Sequence, residues 1–324
     1  MIRRKRFQNR VSESQWLMPL TWVVCVVVWW LFHAWTTANV VGFCCFILSV
    51  YVVSLWSVRY NLLRNNSSML PSLFGLLMLL LSMYIEGWRP YIVVCCICCS
   101  LLILFRCHGS WRVAGRVYFA LLFLGVGSLF FFPLLFFIPL FWLLMKLAFH
   151  CLDVRTCVAS LLGVLTPYWL CFPLLFVAKV ANMETCNAFA DSFGLTDCCG
   201  VCAQTNGILL WKVFSVIGFL LFSVFFGVVH YLRQGYADKS FIRFTYYMFM
   251  LFSAVCVIMG VVVWLFKFSF QLHRGDGFSI LGLLLALFIS PLLAHFWAHT
   301  YTRWTNALFK FWIVMFVGLL VMSA

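Results

Sequence analysis

RVYFALLFLGVGSLFFFPLLFFIPLFWLLMK, residues 116–146, decides the fold. Between Arg116 and Lys146 stand 29 residues without a charge, a run from which no water-facing surface can be built. It exceeds the roughly 20 residues that one membrane-spanning helix needs. Pro133, which lacks a backbone donor, falls near its middle. The segment therefore reads as two short helices, 114–131 and 133–150, joined by a tight turn at Pro133, with a kink at Pro139 in the second. One irregular element is the alternative.

The rest of the chain repeats this pattern. Of 324 residues, 65% are hydrophobic and 9% charged, against roughly 25% charged in a soluble domain. The mean hydropathy is +1.07. A soluble globule is excluded, and the expected class is all-α: a polytopic transmembrane bundle. Nine further apolar stretches, 16–35, 38–58, 70–87, 90–105, 157–180, 207–230, 244–266, 278–297 and 307–323, bring the expected spans to eleven. They use roughly 220 residues and leave no room for an extramembrane catalytic domain. Residues 1–15 form a basic cytoplasmic tail, and 16–323 a single transmembrane domain. The stretch from Trp16 has no clear small-residue cleavage site after it and reads as a retained helix rather than a signal peptide.

Positive charge orients the spans. With the N-terminus cytoplasmic, 17 of the 22 Lys and Arg residues fall on inside segments. The outside keeps Arg89, Lys179, Lys212, Lys267 and Arg274. That asymmetry is the positive-inside pattern and puts the C-terminus outside. It also accounts for the formal charge of +14, because the basic residues are spread over six segments that meet anionic headgroups. A nucleic-acid binder would gather them on one face; none is expected as a partner. Most of the 15 Trp lie near the proposed helix ends, where amphipathic rings favour the interface.

Candidate sites are few. LLGVLTPYWLCFP places Thr166, Pro167 and Tyr168 inside the seventh span, where freed carbonyls need protein or a wet cavity beside them. PLLAHFWAHTYTRW puts His295 and His299 on one helical face, followed by Arg303. The pair lacks the glutamate of a zinc-peptidase motif, so no metal is assigned. His150 and His230 are the other histidines at suitable depth. Glu86 and Arg89 bracket an outer turn and can pair or touch substrate. Arg59 and Arg64 precede a helix start capped by Ser68, with Pro71 in its first turn, and are candidates for a phosphate headgroup.

The 16 cysteines divide into two kinds. Cys95, Cys96, Cys98 and Cys99 lie in an apolar run and read as small packing residues. Cys186, Cys198, Cys199 and Cys202 lie in the polar outer loop 181–206, where disulfides are allowed and three full pairings are open. Free thiols remain the alternative. This loop is the natural docking element for an envelope partner, and membrane lipids are the other expected partner. No cofactor is assigned.

NLLRNNSSMLPSLFGLL, GVGSLFFFPLLFFIPLFW, LLGVLTPYW and PLLAHFWAHTYTRWTNALF together resemble a family of multi-spanning inner-membrane proteins from Bacteroidota. The resemblance implies the inner membrane of a Gram-negative bacterium and carries over no catalytic residue.

Transport or flipping of a small or lipid-linked substrate is the leading functional expectation. A non-catalytic structural or accessory subunit of an envelope assembly is the alternative, and an enzyme acting on lipid-linked glycans the second. Catalysis is the weaker reading, because the first outer loop, 36–39, lacks acidic residues and no protease constellation is present. A polar cavity between spans 3, 7 and 10 would favour transport or enzymology; a dry bundle with an exposed outer loop would favour scaffolding.

Overall fold

A computed structural model describes residues 7–12, 14, 16–33, 36–60, 62–63, 68–85, 87–108, 113–181, 207–235, 239–270, 276–300 and 302–323, with side chains of 174–181, 207–213, 264–270 and 276–278 outside the description. The described chain is helical throughout. In order it forms α1 Phe7–Ser12, α2 Leu17–Phe32, α3 Thr37–Arg59, α4 Met69–Ser82, α5 Arg89–Phe105, α6 Ala114–Phe130, a 3₁₀ helix Phe132–Phe137 and α7 Ile138–Leu147. Then follow α8 Val154–Ala181, α9 Gly207–Gln234, α10 Ser240–Phe270, α11 Asp276–His299 and α12 Arg303–Ser323. Helices satisfy their own backbone hydrogen bonds, the condition for an apolar chain to fold in lipid. Six of them, α3 and α8 to α12, are long and apolar enough to cross a membrane; α2, α4, α5, α6 and the 132–147 unit are shorter. The molecule is a polytopic membrane protein.

Local chemistry sets the helix starts. Thr36 caps α3, its Oγ1 accepting from the Asn39 amide at 3.3 Å. Ser68 occupies the N-cap position of α4, yet its hydroxyl donates to the Ser14 carbonyl instead of capping. Pro139 does not kink a helix as expected. The 3₁₀ helix led by Pro133 delivers the chain directly into α7 at Ile138, leaving Pro139 in the first turn, where a missing donor costs nothing.

Packing sorts the helix ends onto two faces. The Thr21 and Ser72 hydroxyls are 3.3 Å apart near the starts of α2 and α4, and His33 Nε2 meets the Ser82 carbonyl at 3.2 Å near their ends. Trp88 meets Phe130 edge-on, whereas Arg116 Nη1 donates to the Arg106 carbonyl at 2.6 Å at the opposite ends of α5 and α6. Arg106 shares its face with the Phe105–Phe241 and Tyr231–Tyr246 ring contacts and with α1. The other face carries His33, Ser82, Trp88 and Phe130, with Ser323 beside the Tyr84 phenol.

The centre is a pair of sheathed helices. α4 buries every residue except Leu76, and every residue from Leu283 to Ala298 on α11 is buried. Such helices are apolar all round because no face reaches water or lipid. Phe288 stacks on Phe252 at 4.7 Å and on Phe137 at 6.2 Å, which ties α11 to α10 and to the 3₁₀ helix. The surrounding helices turn Leu20, Val58, Phe172, Phe225 and Val314 outward, as lipid contact requires.

Helix α1 fastens the end of α11. Gln8, itself buried, donates Nε2 to the Trp297 carbonyl at 2.6 Å and to the Thr300 hydroxyl at 2.9 Å, and its backbone amide donates to Asn306 Oδ1 at 3.1 Å. Carbonyls at a helix C-terminus have no partner within the helix, and this side chain supplies one. Gln8→Leu is expected to cost about 1–3 kcal/mol, the usual penalty for stranding buried acceptors. A lower thermal midpoint in detergent together with faster trypsin cleavage after Arg10 checks this.

Candidate functional site

His295 lies near the α1-face end of α11 at the centre of a buried ring cluster. Its imidazole stacks on His299 at 4.3 Å with an interplanar angle of 15°, and the His230 ring of α9 lies 5.5 Å away. Tyr231 and Tyr246 present edges to it at 5.0 and 5.1 Å, and stack on each other at 4.7 Å. The Tyr246 hydroxyl donates to the Leu62 carbonyl at 3.1 Å, and His299 Nδ1 to the His295 carbonyl at 3.2 Å. α9, α10 and α11 thus converge on three imidazoles and two phenols at one end of the bundle.

The geometry limits the chemistry. Ring nitrogens bind a metal in the plane of the imidazole, so two rings stacked face to face cannot both aim a lone pair at one ion. Among the described residues no group of three His, Cys, Asp or Glu converges as a ligand set. The arrangement suits a polar cluster within an aromatic cage, able to hydrogen-bond a small polar group.

The seventh-span candidates lie elsewhere. Thr166 gives its proton to the Leu162 carbonyl at 2.6 Å, so the Tyr118 phenol, 3.0 Å away, donates to Thr166. Ser128 likewise donates to the Gly125 carbonyl, and the Tyr168 phenol donates to Ser128 at 2.8 Å. Pro167 is buried against α6, where a Cβ on Gly125 would stand 3.1 Å from its Cγ. These residues build a hydrogen-bonded seam between α6 and α8, whereas His295 sits among α9, α10 and α11.

The remaining candidates are dispersed. Arg303 is exposed on the first turn of α12, and Arg59 is exposed at the end of α3. Arg89 begins α5, after a turn made by Gly87 at φ +87°, a backbone that favours glycine. Glu86, Arg64, Cys186, Cys198, Cys199 and Cys202 lie outside the described residues. On α5, the Cys95 thiol hydrogen-bonds with those of Cys45 and Cys99 within the α3–α5 contact.

His150 does not join the cluster. It adopts φ +50° after α7 and lies close enough to act electrostatically on His108, whose ring stacks on Phe241 at 4.1 Å. Burial first, and His150 second, hold the His108 imidazole below its usual 6.5. The folded chain therefore binds fewer protons here than the unfolded chain. The stability that follows is complete above pH 6.5 and is lost as pH falls through the lower folded value. Thermal midpoints measured between pH 7 and 5 are expected to fall, and His108→Phe to flatten that dependence.

Tyr231, Tyr246 and Gln8 carry no signal in the sequence that links them to His295. Gln8 is hidden in the run MIRRKRFQNR, which reads as orientation charge, and the tyrosines read as interface rings. Comparison of the chain with family models, curated proteins and solved structures returns no match.

Proposed function

We propose that this chain is a non-catalytic structural or accessory subunit of an envelope assembly in a Gram-negative inner membrane. In this reading it crosses the bilayer eleven times with the α1 face in the cytoplasm. The carrying observation is the filled interior: Leu70, Phe74, Leu77 and Leu80 on α4 and Leu283, Leu284, Phe288 and Leu292 on α11 are fully enclosed. A transport path needs polar, roomy surface at that depth. Orientation is supported by Arg10, Arg59, Arg106, Arg116, Arg155, Arg243 and Arg303 on the α1 face, against Arg89 among described side chains on the other. The Bacteroidota resemblance of the sequence points to the same membrane, and the loop 181–206 is the proposed contact for a protein partner.

The second reading is transport or flipping of a small or lipid-linked substrate. It draws on the His230, His295 and His299 cluster, since ionisable groups at membrane depth tend to mark functional paths. Purification of the full chain in mild detergent, with identification of bound proteins, separates the two. A partner in fixed ratio, with His295→Ala retaining complementation in cells, is expected. Absence of a partner, with substrate flux in proteoliposomes that His295→Ala abolishes, would establish transport instead.

A further inference from the structure

Helices α9 and α10 both pack on α11 but scarcely touch each other. Between them runs an open groove of about 570 Å³. Its α9 wall includes Leu221, Phe225, Val228 and Leu232, a stripe spaced at three, four and seven residues, and its α10 wall includes Tyr247 and Ala254. Leu221, Phe225 and Leu232 are exposed, so the groove opens sideways toward lipid rather than into the bundle.

Its length and its end identify the occupant. From Leu221 to Leu232 the α9 wall extends about 16 Å at the helical rise. That is about half of a 30 Å hydrocarbon core, or one leaflet. Where the groove reaches the α1 face, the apolar stripe gives way to charge. Arg233 follows Leu232, and Arg243 precedes Tyr247 by four residues on the same side of α10, with its guanidinium 5.8 Å from the Phe244 ring. Lys239, exposed, immediately precedes α10, and in sequence Asp238 is the single acid between Arg233 and Arg243, which leaves two positive charges in excess.

We infer that the groove between α9 and α10 is a binding site for an anionic diacyl phospholipid, one acyl chain lying against Leu221–Leu232 and the phosphate held by Arg233 and Arg243. A zwitterionic lipid fits the same groove but cancels the charge attraction. Free phosphate satisfies the arginines but leaves the apolar walls empty. The site does not depend on which face is cytoplasmic or on whether the chain transports anything.

Photolabelling of the full chain in mild detergent tests the assignment. The probes are phosphatidylglycerol and phosphatidylcholine, each with a photoactivatable group in the same acyl chain. Phosphatidylglycerol is expected to label peptides containing 221–232 and 247–254. The double variant Arg233→Gln, Arg243→Gln should weaken its half-saturation by about 25-fold, a factor of about five for each surface arginine. Phosphatidylcholine labelling should not move. Both arginines stand at helix ends, and the wild-type labelling map is decisive even if the double variant fails to fold. Labelling spread evenly around the bundle, or equal saturation by the two lipids, would overturn the site. So would full competition by glycerol phosphate at equal concentration, which would reveal an ion site that needs no acyl chain.

Discussion

Phe288→Ala is expected to lose about 3–5 kcal/mol, the range for removing a fully buried aromatic ring. Phe288 is completely enclosed on α11 and stacks against both Phe252 and Phe137. Truncation opens one cavity at the meeting point of α10, α11 and the 3₁₀ helix. Neighbouring rings cannot close it easily, because Phe249, Phe252 and Phe137 are held by their own contacts. The change should appear as a large drop in thermal midpoint in detergent, and Phe288→Leu should recover much of it. A small, equal effect of both changes would mean that α11 is not the packed centre of the bundle.

Gly163→Val is expected to be comparably damaging for the opposite reason. α8 crosses α6 so closely here that a Cβ on Gly163 would run into the Tyr118 carbonyl, with the Leu122 amide nitrogen at 3.1 Å and Leu121 Cβ at 3.3 Å. Two of these obstacles are backbone and cannot swing aside. Overpacking of this kind costs about 1–3 kcal/mol and more where the backbone must move. The displacement would also separate Tyr118 from Thr166 and Tyr168 from Ser128. Small residues at such crossings let membrane helices approach and gain dispersion contacts. Gly218→Ala is the control: beyond its chain neighbours and its own helical turn, no atom lies within 4 Å of the Cβ it would add. It should leave stability unchanged or raise it slightly, because alanine favours a helix. Equal loss from both substitutions would point to helix backbone effects rather than the α6–α8 seam.

Much of the architecture was legible in residues alone, because uncharged length and proline position are strong signals in a membrane chain. The division of 116–146 at Pro133 is a case in point: α6 ends at Phe130 and the 3₁₀ helix starts at Phe132. Pro139 misled for a local reason, since a proline reads as a kink only if the helix has already begun. Which helices occupy the centre could not be read. α4 and α11 are apolar all round, but so are the lipid-facing helices, and hydropathy does not distinguish lipid from protein as a neighbour. The site was half legible. The four-residue spacing of His295 and His299 placed them on one face, whereas Tyr231 and Tyr246 reach them through tertiary packing that leaves no sequence trace. His150 and His230 were set beside His295 by depth, but only His230 joins it, because depth carries no information about which helices are adjacent.

Single-copy reporter fusions after Ala324 test the central proposition most directly: helices threaded an odd number of times through the bilayer, with the α1 face in the cytoplasm. The packing places Gln8 and Ser323 at opposite ends of the bundle. A C-terminal alkaline phosphatase is therefore expected to be active and a C-terminal green fluorescent protein dark, with the reverse for fusions truncated after Arg155. A fluorescent fusion and an inactive phosphatase at Ala324 would contradict the account.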